Sequence, residues 1–96
     1  MKSQKIIFKN WKCFIEKGTY SNGRIALELI HSKDGEPVLV ATINIPEIFV
    51  AKDEVIIKNY SENEGVLELL INANIISKPL RMVESSFITA PICRLL

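Results

Sequence analysis

A single histidine, His31, is present in the chain. That scarcity excludes a histidine-pair metal site and any catalytic set needing two imidazoles. Cysteine is nearly as rare: Cys13 and Cys93 stand eighty residues apart and read as small buried hydrophobes of a reducing compartment, able to meet as the first and last strands of a sheet. The four glycines, Gly18, Gly23, Gly35 and Gly65, are scattered singly, so no phosphate-cradling loop is built from them. No apolar run approaches the ~20 residues that cross a bilayer. Lys9 and Lys12 interrupt the first apolar residues before they reach signal-peptide length. The expectation is a soluble cytoplasmic protein with no membrane partner, no metal and no cofactor. A net charge of +1 adds no global pull towards nucleic acid.

What remains is a compact structural grammar. Hydrophobic residues make up 48% of the 96 and charged residues 24%, as in an ordinary globular protein. One domain over 1–96 is expected, removing roughly 60–70% of the unfolded surface from water. Charge is uneven along it: residues 1–24 carry six basic groups against Glu16, and residues 25–76 carry three lysines against nine acids. Those segments are expected to neutralise one another in the fold.

The organising stretch runs from Glu54 to Ile76, a strand passing directly into a helix. Ser61 followed three residues later by Glu64 reads as a capping box, each side chain satisfying a backbone N–H of the first turn. Val66, Leu69, Leu70 and Ala73 recur at helical spacing, and Asn74 suits the left-handed residue that closes a helix. One main helix over about 62–73 is predicted.

Upstream, Lys5 to Tyr20 is strand-like with a break near Asn10, and Asn22-Gly23 predicts a two-residue type I′ hairpin turn. That turn pairs Ile15 with Ile30, Lys17 with Glu28 and Phe14 with His31. A second turn at Lys33–Glu36 sets His31 opposite Val38, and a third strand over Pro37–Ile45 ends at Pro46. Glu54–Asn59 is a fourth strand. Leu80–Val83, Ser86–Thr89 and Ile92–Leu95 read as short strands separated by Glu84-Ser85 and Pro91. The fold class is α+β: a mostly antiparallel sheet, prone to curl, of five to seven short strands with one main helix.

Chemistry is thinly signalled. His31 can form a nucleophile–base pair only with Cys13 or Cys93, and its predicted neighbours Phe14 and Val38 favour a packed histidine instead. Lys12 and Arg94 flank the thiols and would lower their pKa only if aimed at them. The acids from Asp53 to Glu68 lack metal-loop spacing, and Glu62 and Glu64 already serve the helix start. No catalytic, cofactor-binding or metal-ligating residue is therefore assigned. Lys5, Lys9, Trp11 and Lys12 interleave cations with aromatics, the pattern that tracks a phosphate backbone and stacks bases. A half-buried edge strand guarded by lysine has the same composition.

The segment IKNYSENEGVLELLINANII and the closing PICRLL resemble an uncharacterised family of short bacterial proteins met in phages, plasmids and conjugative elements, including those of gut Bacteroides-type bacteria. Asn59 to Gly65, Leu67 to Leu70, Ala73 and Pro91 to Leu95 carry the resemblance, which spans roughly half the chain. The family has no assigned activity, so the resemblance implies only a setting: an accessory protein of a mobile element. The function expected from all this is a small non-enzymatic binding or adaptor module with a protein partner, the alternative being single-stranded nucleic-acid binding by the lysine-rich strand. Apolar residues on both faces of the strands also leave room for a homo-oligomer.

Overall fold

The computed structural model describes residues 2–96, with side chains from Lys5 onward. The described residues form seven strands and one short α-helix. Strands β1 (Lys2–Phe8), β2 (Trp11–Thr19), β3 (Ile25–His31) and β4 (Pro37–Val40) make an antiparallel meander in that order, here called sheet A. Strands β5 (Glu54–Ile56), β6 (Arg81–Ser85) and β7 (Ile88–Arg94) make sheet C, antiparallel, in the order β5-β7-β6. The two are not closed into a barrel. A bridge between Thr42 and Ile57 joins them where the chain leaves β4.

Both predicted hairpins form with displaced registers, the first by one residue throughout and the second by one residue at Leu29 and two at Ile30, beyond a bulge. At Asn22-Gly23, only Gly23 takes a positive φ, of 87°. Its N–H bonds Tyr20 O at 2.9 Å while Tyr20 N–H bonds Arg24 O at 2.8 Å, the pattern of a three-residue loop with a glycine bulge rather than a type I′ turn. Ile15 thus lies opposite Leu29 and Lys17 opposite Leu27, and the expected Lys17–Glu28 match becomes Glu16 opposite Glu28. His31 faces Cys13 instead of Phe14. In the second hairpin Leu29 faces Leu39. The third strand also stops at Val40, short of Ile45, because the chain from Ala41 turns away to bridge sheet C.

The helix is a correction too. α1 spans Val66–Asn72, not about 62–73, and a separate 3₁₀ turn covers Ser61–Asn63. Ser61 sits at φ 56° and supplies no cap. Asn59 does that work: its Oδ1 accepts the N–H groups of Gly65 at 3.1 Å and Leu67 at 3.0 Å. With Gly65 at φ 97°, the chain turns sharply between strand and helix, and the capping box is lost to that turn. Asn74 does close the helix region at φ 60°. A seven-residue helix is marginal alone; this one is held by the buried Val66 and Leu70. In the tail, β7 runs unbroken through Pro91, replacing two of the expected short strands.

Two cores result. The larger lies beneath one face of sheet A, where Ile6, Phe8, Cys13, Ile15, Leu27 and Leu29 meet Val55, Ile57 and Cys93 of sheet C's side and Val66, Leu70 and Ile76 of the helix segment. The smaller lies on the other face of sheet C, where Ile56, Ala90 and Ile92 pack with Ile45, flanked by Ile43 and by Ile48 and Val50 of the 44–53 connection.

Candidate functional site

The four residues marked for nucleic-acid binding come from the β1–β2 hairpin, and its register sorts them. Lys5 pairs with Phe14 and Ile7 with Lys12, while Ile6 pairs with Cys13 and Phe8 with Trp11. Because alternate residues of a strand face opposite ways, Lys5 and Lys12 share the outer face of sheet A with Ile7 and Phe14. Trp11 lies on the other face, at its rim, 46% exposed, with its ring 5.8 Å from His31 in an edge-on contact. Lys9 sits in the turn at φ 48°, its ammonium donating to Glu62 O at 3.0 Å and lying 5.3 Å from the centre of the Phe8 ring. The lysines and the tryptophan are therefore not gathered on one face.

His31 and Cys13 are cross-strand partners, the nearest approach to a nucleophile–base pair. The thiol is fully buried, and its contact at 3.6 Å is with Trp11 O. Burial pushes the Cys13 thiol upward and that of Cys93 up to about 11. Burial is the cause of both shifts, and it disfavours the thiolate that a nucleophile would need. Both cysteines are free thiols in the same core cluster. Among the described residues no three His, Cys, Asp or Glu side chains come together as metal ligands.

The feature that sequence reasoning missed is a crevice of about 320 Å³ between the Asn22–Ile25 turn and the Val50–Glu54 segment. Arg24 forms one wall. Its guanidinium donates to Ile45 O at 2.8 Å, Ile48 O at 2.7 Å and Pro46 O at 3.3 Å, so it pins the 44–53 connection by three carbonyls and no carboxylate. Glu54 forms the opposite wall. Arg81 grips it in a two-pronged pair at 2.9 and 3.2 Å and also donates to Phe49 O, while Ala51 N–H donates to Glu54 at 2.9 Å. The Arg81 hydrogen bond, helped by the Ala51 N–H, holds the Glu54 carboxyl down to about 2. Most polar groups here thus serve the fold, and Lys52 is the exposed charge left at the rim. Two arginines with a carboxylate and loop carbonyls between them are a clamp rather than an acid–base pair. Nothing in the sequence marked them, because the partners lie 21 to 32 residues apart.

A different surface is unfinished. β6 is one of the two outer strands of sheet C, and along its margin Phe49, Leu80 and Met82 are exposed while Phe87, in the β6–β7 turn, is fully exposed. No helix among the described residues is long and apolar enough to cross a membrane. No family model, no curated protein and no solved structure matches this chain.

Proposed function

We propose that the protein is a small binding module without catalytic activity, whose partner is another protein. The observation that carries this reading is the β6 margin. An outer strand offers unpaired backbone groups for strand addition, and Met82, Leu80 and Phe87 beside it offer apolar anchors that gain by leaving water. The buried thiols and the committed polar groups of the crevice give the chemistry of a scaffold. The setting implied by the sequence resemblance, an accessory cytoplasmic protein of a bacterial mobile element, belongs to the same proposal.

The test is affinity capture from a native host lysate by tagged protein, with and without nuclease, comparing wild type with Met82→Ser and Phe87→Ser. One defined protein recovered by wild type, resistant to nuclease and lost from either variant, supports the reading. Equal recovery by all three sinks it. A second reading, single-stranded nucleic-acid binding, rests on Lys5 and Lys12 alone, exposed together on the outer face of the hairpin, since Trp11 lies on the other face. It predicts recovered nucleic acid that is lost at higher salt and on Lys12→Gln.

A further inference from the structure

The outer face of sheet A carries a charge order that one partner satisfies by symmetry. On β2 the outward residues read Lys12, Phe14, Glu16. The row through Phe14 continues as Lys5 on β1, Ile30 on β3 and Pro37 on β4. Ile30 is buried yet belongs to neither core, so this row has an apolar layer of its own. Ile7 and Val40 flank it, 60% and 41% exposed. Beside Glu16 stands Glu28, directly opposite on β3, and Lys2 holds the opposing position on the edge strand β1, so this end keeps two acids against one basic residue. Like charges so placed destabilise a sheet. The three ion pairs of the described residues, Lys58–Glu62, Arg81–Glu54 and Arg94–Asp53, relieve none of Lys12, Glu16 or Glu28.

We infer that two copies of this chain pack outer face to outer face about a two-fold axis along the Phe14–Ile30 row, with Lys12 of each against Glu16 of the other. The axis runs across the strands, so it carries the positive end of the face onto the negative end of the second copy. Phe14 and Ile30 then meet their own counterparts at the centre, in a face-to-face packing of sheets about 10 Å apart. Glu28, one strand over, reaches the same incoming lysine. A partner of single sign would satisfy only one end of this face, and a second copy satisfies both. Lys5 also lies on the axis, but on the edge strand. Its ammonium, 5.9 Å from the Phe14 ring centre in the free chain, swings to the rim, where a lysine keeps its charge in water. This surface is separate from the β6 margin, so the two proposals stand or fall independently.

The solution mass tests it, by light scattering and sedimentation of the full chain at on the order of 100 µM in low salt. Wild type should give twice the 10.9 kDa of one chain and shift towards monomer as salt screens the pairs. Lys12→Glu and Glu16→Lys should each be monomeric, because each sets like charges face to face twice. The combined reversal, Lys12→Glu with Glu16→Lys, should restore the dimer, which also shows that the reversals leave the fold intact. Met82→Ser should keep the wild-type mass. A monomeric wild type, a single reversal that stays dimeric, a double reversal that stays monomeric, or dissociation by Met82→Ser would each overturn the inference.

Discussion

Sheet A and sheet C solve the same problem in opposite ways. Sheet A has one face on the larger core and a second face largely open, and its β3 alternates accordingly from Ala26 to Leu29, with Leu27 and Leu29 buried and Ala26 and Glu28 partly exposed, until Ile30, which is buried on the second face. Sheet C is covered twice, by the larger core on the Val55 and Cys93 side and by the 44–53 connection on the Ile56 and Ile92 side. Its middle strand β7 accordingly buries four consecutive residues, Ala90 to Cys93. Alternation is the signature of a one-sided sheet and a continuous apolar run that of a two-sided one. The second cover is irregular chain rather than a helix, so it needs fastening, and Arg24 and Arg81 supply it.

Substitutions sharpen that contrast. The largest loss is expected from Ile92→Ala, in the centre of the twice-covered sheet, which should cost about 2–5 kcal/mol in urea unfolding; a loss below ~1 kcal/mol would mean that the second cover is not packed. Glu54→Gln should detach the fastening of that cover. Because the folded carboxyl is depressed to about 2 from an ordinary 4.5, its ionised form stabilises the protein above about 4.5, and that contribution disappears as pH falls through about 2. The variant should therefore be less stable at neutral pH and show a flatter loss across that acid window in thermal unfolding. A profile parallel to wild type would place the fastening elsewhere. Asn59→Ala, at the junction where the chain leaves sheet C for the helix, should cost about 1 kcal/mol, the scale of a lost helix cap. Hydrogen exchange at the Gly65 and Leu67 amides should accelerate with it. The smallest effect belongs to the open face: Ile7→Thr, in dilute solution, should change stability by less than about 0.5 kcal/mol.

How much of this was legible in the sequence follows from the same contrast. The β2–β3–β4 meander was readable because its strands are neighbours in the chain and Asn22-Gly23 and Asp34-Gly35 mark its turns. Its register was not, since the glycine bulge at Gly23 moves every β2–β3 pair by a residue and a second irregularity at Leu29 and Ile30 shifts the β3–β4 pairing. Ser61-x-x-Glu64 met every local criterion for a capping box. It lost to Asn59, whose reach across a 3₁₀ turn no fixed spacing announces. Thr42 was placed inside a strand because nothing local says that the chain changes sheets there. The crevice and its two arginines were invisible, being assembled from segments that only the fold brings together. The lysines, aromatics and lone histidine could be named but not sorted by face until the register was known.

The Thr42–Ile57 bridge between the sheets joins segments that are completed at different times. Sheet A draws only on residues 2–40, by contacts between consecutive strands, whereas β5 finds its neighbour β7 some 36 residues later, at the Ile56–Ile92 pair. Local contacts form early and distant ones late. A chain emerging from the ribosome can therefore complete its meander while β5 still waits, leaving Val55 and Ile56 without their strand partners until Ile92 and Cys93 arrive. That interval is when this protein is most exposed to mispairing and to chaperones.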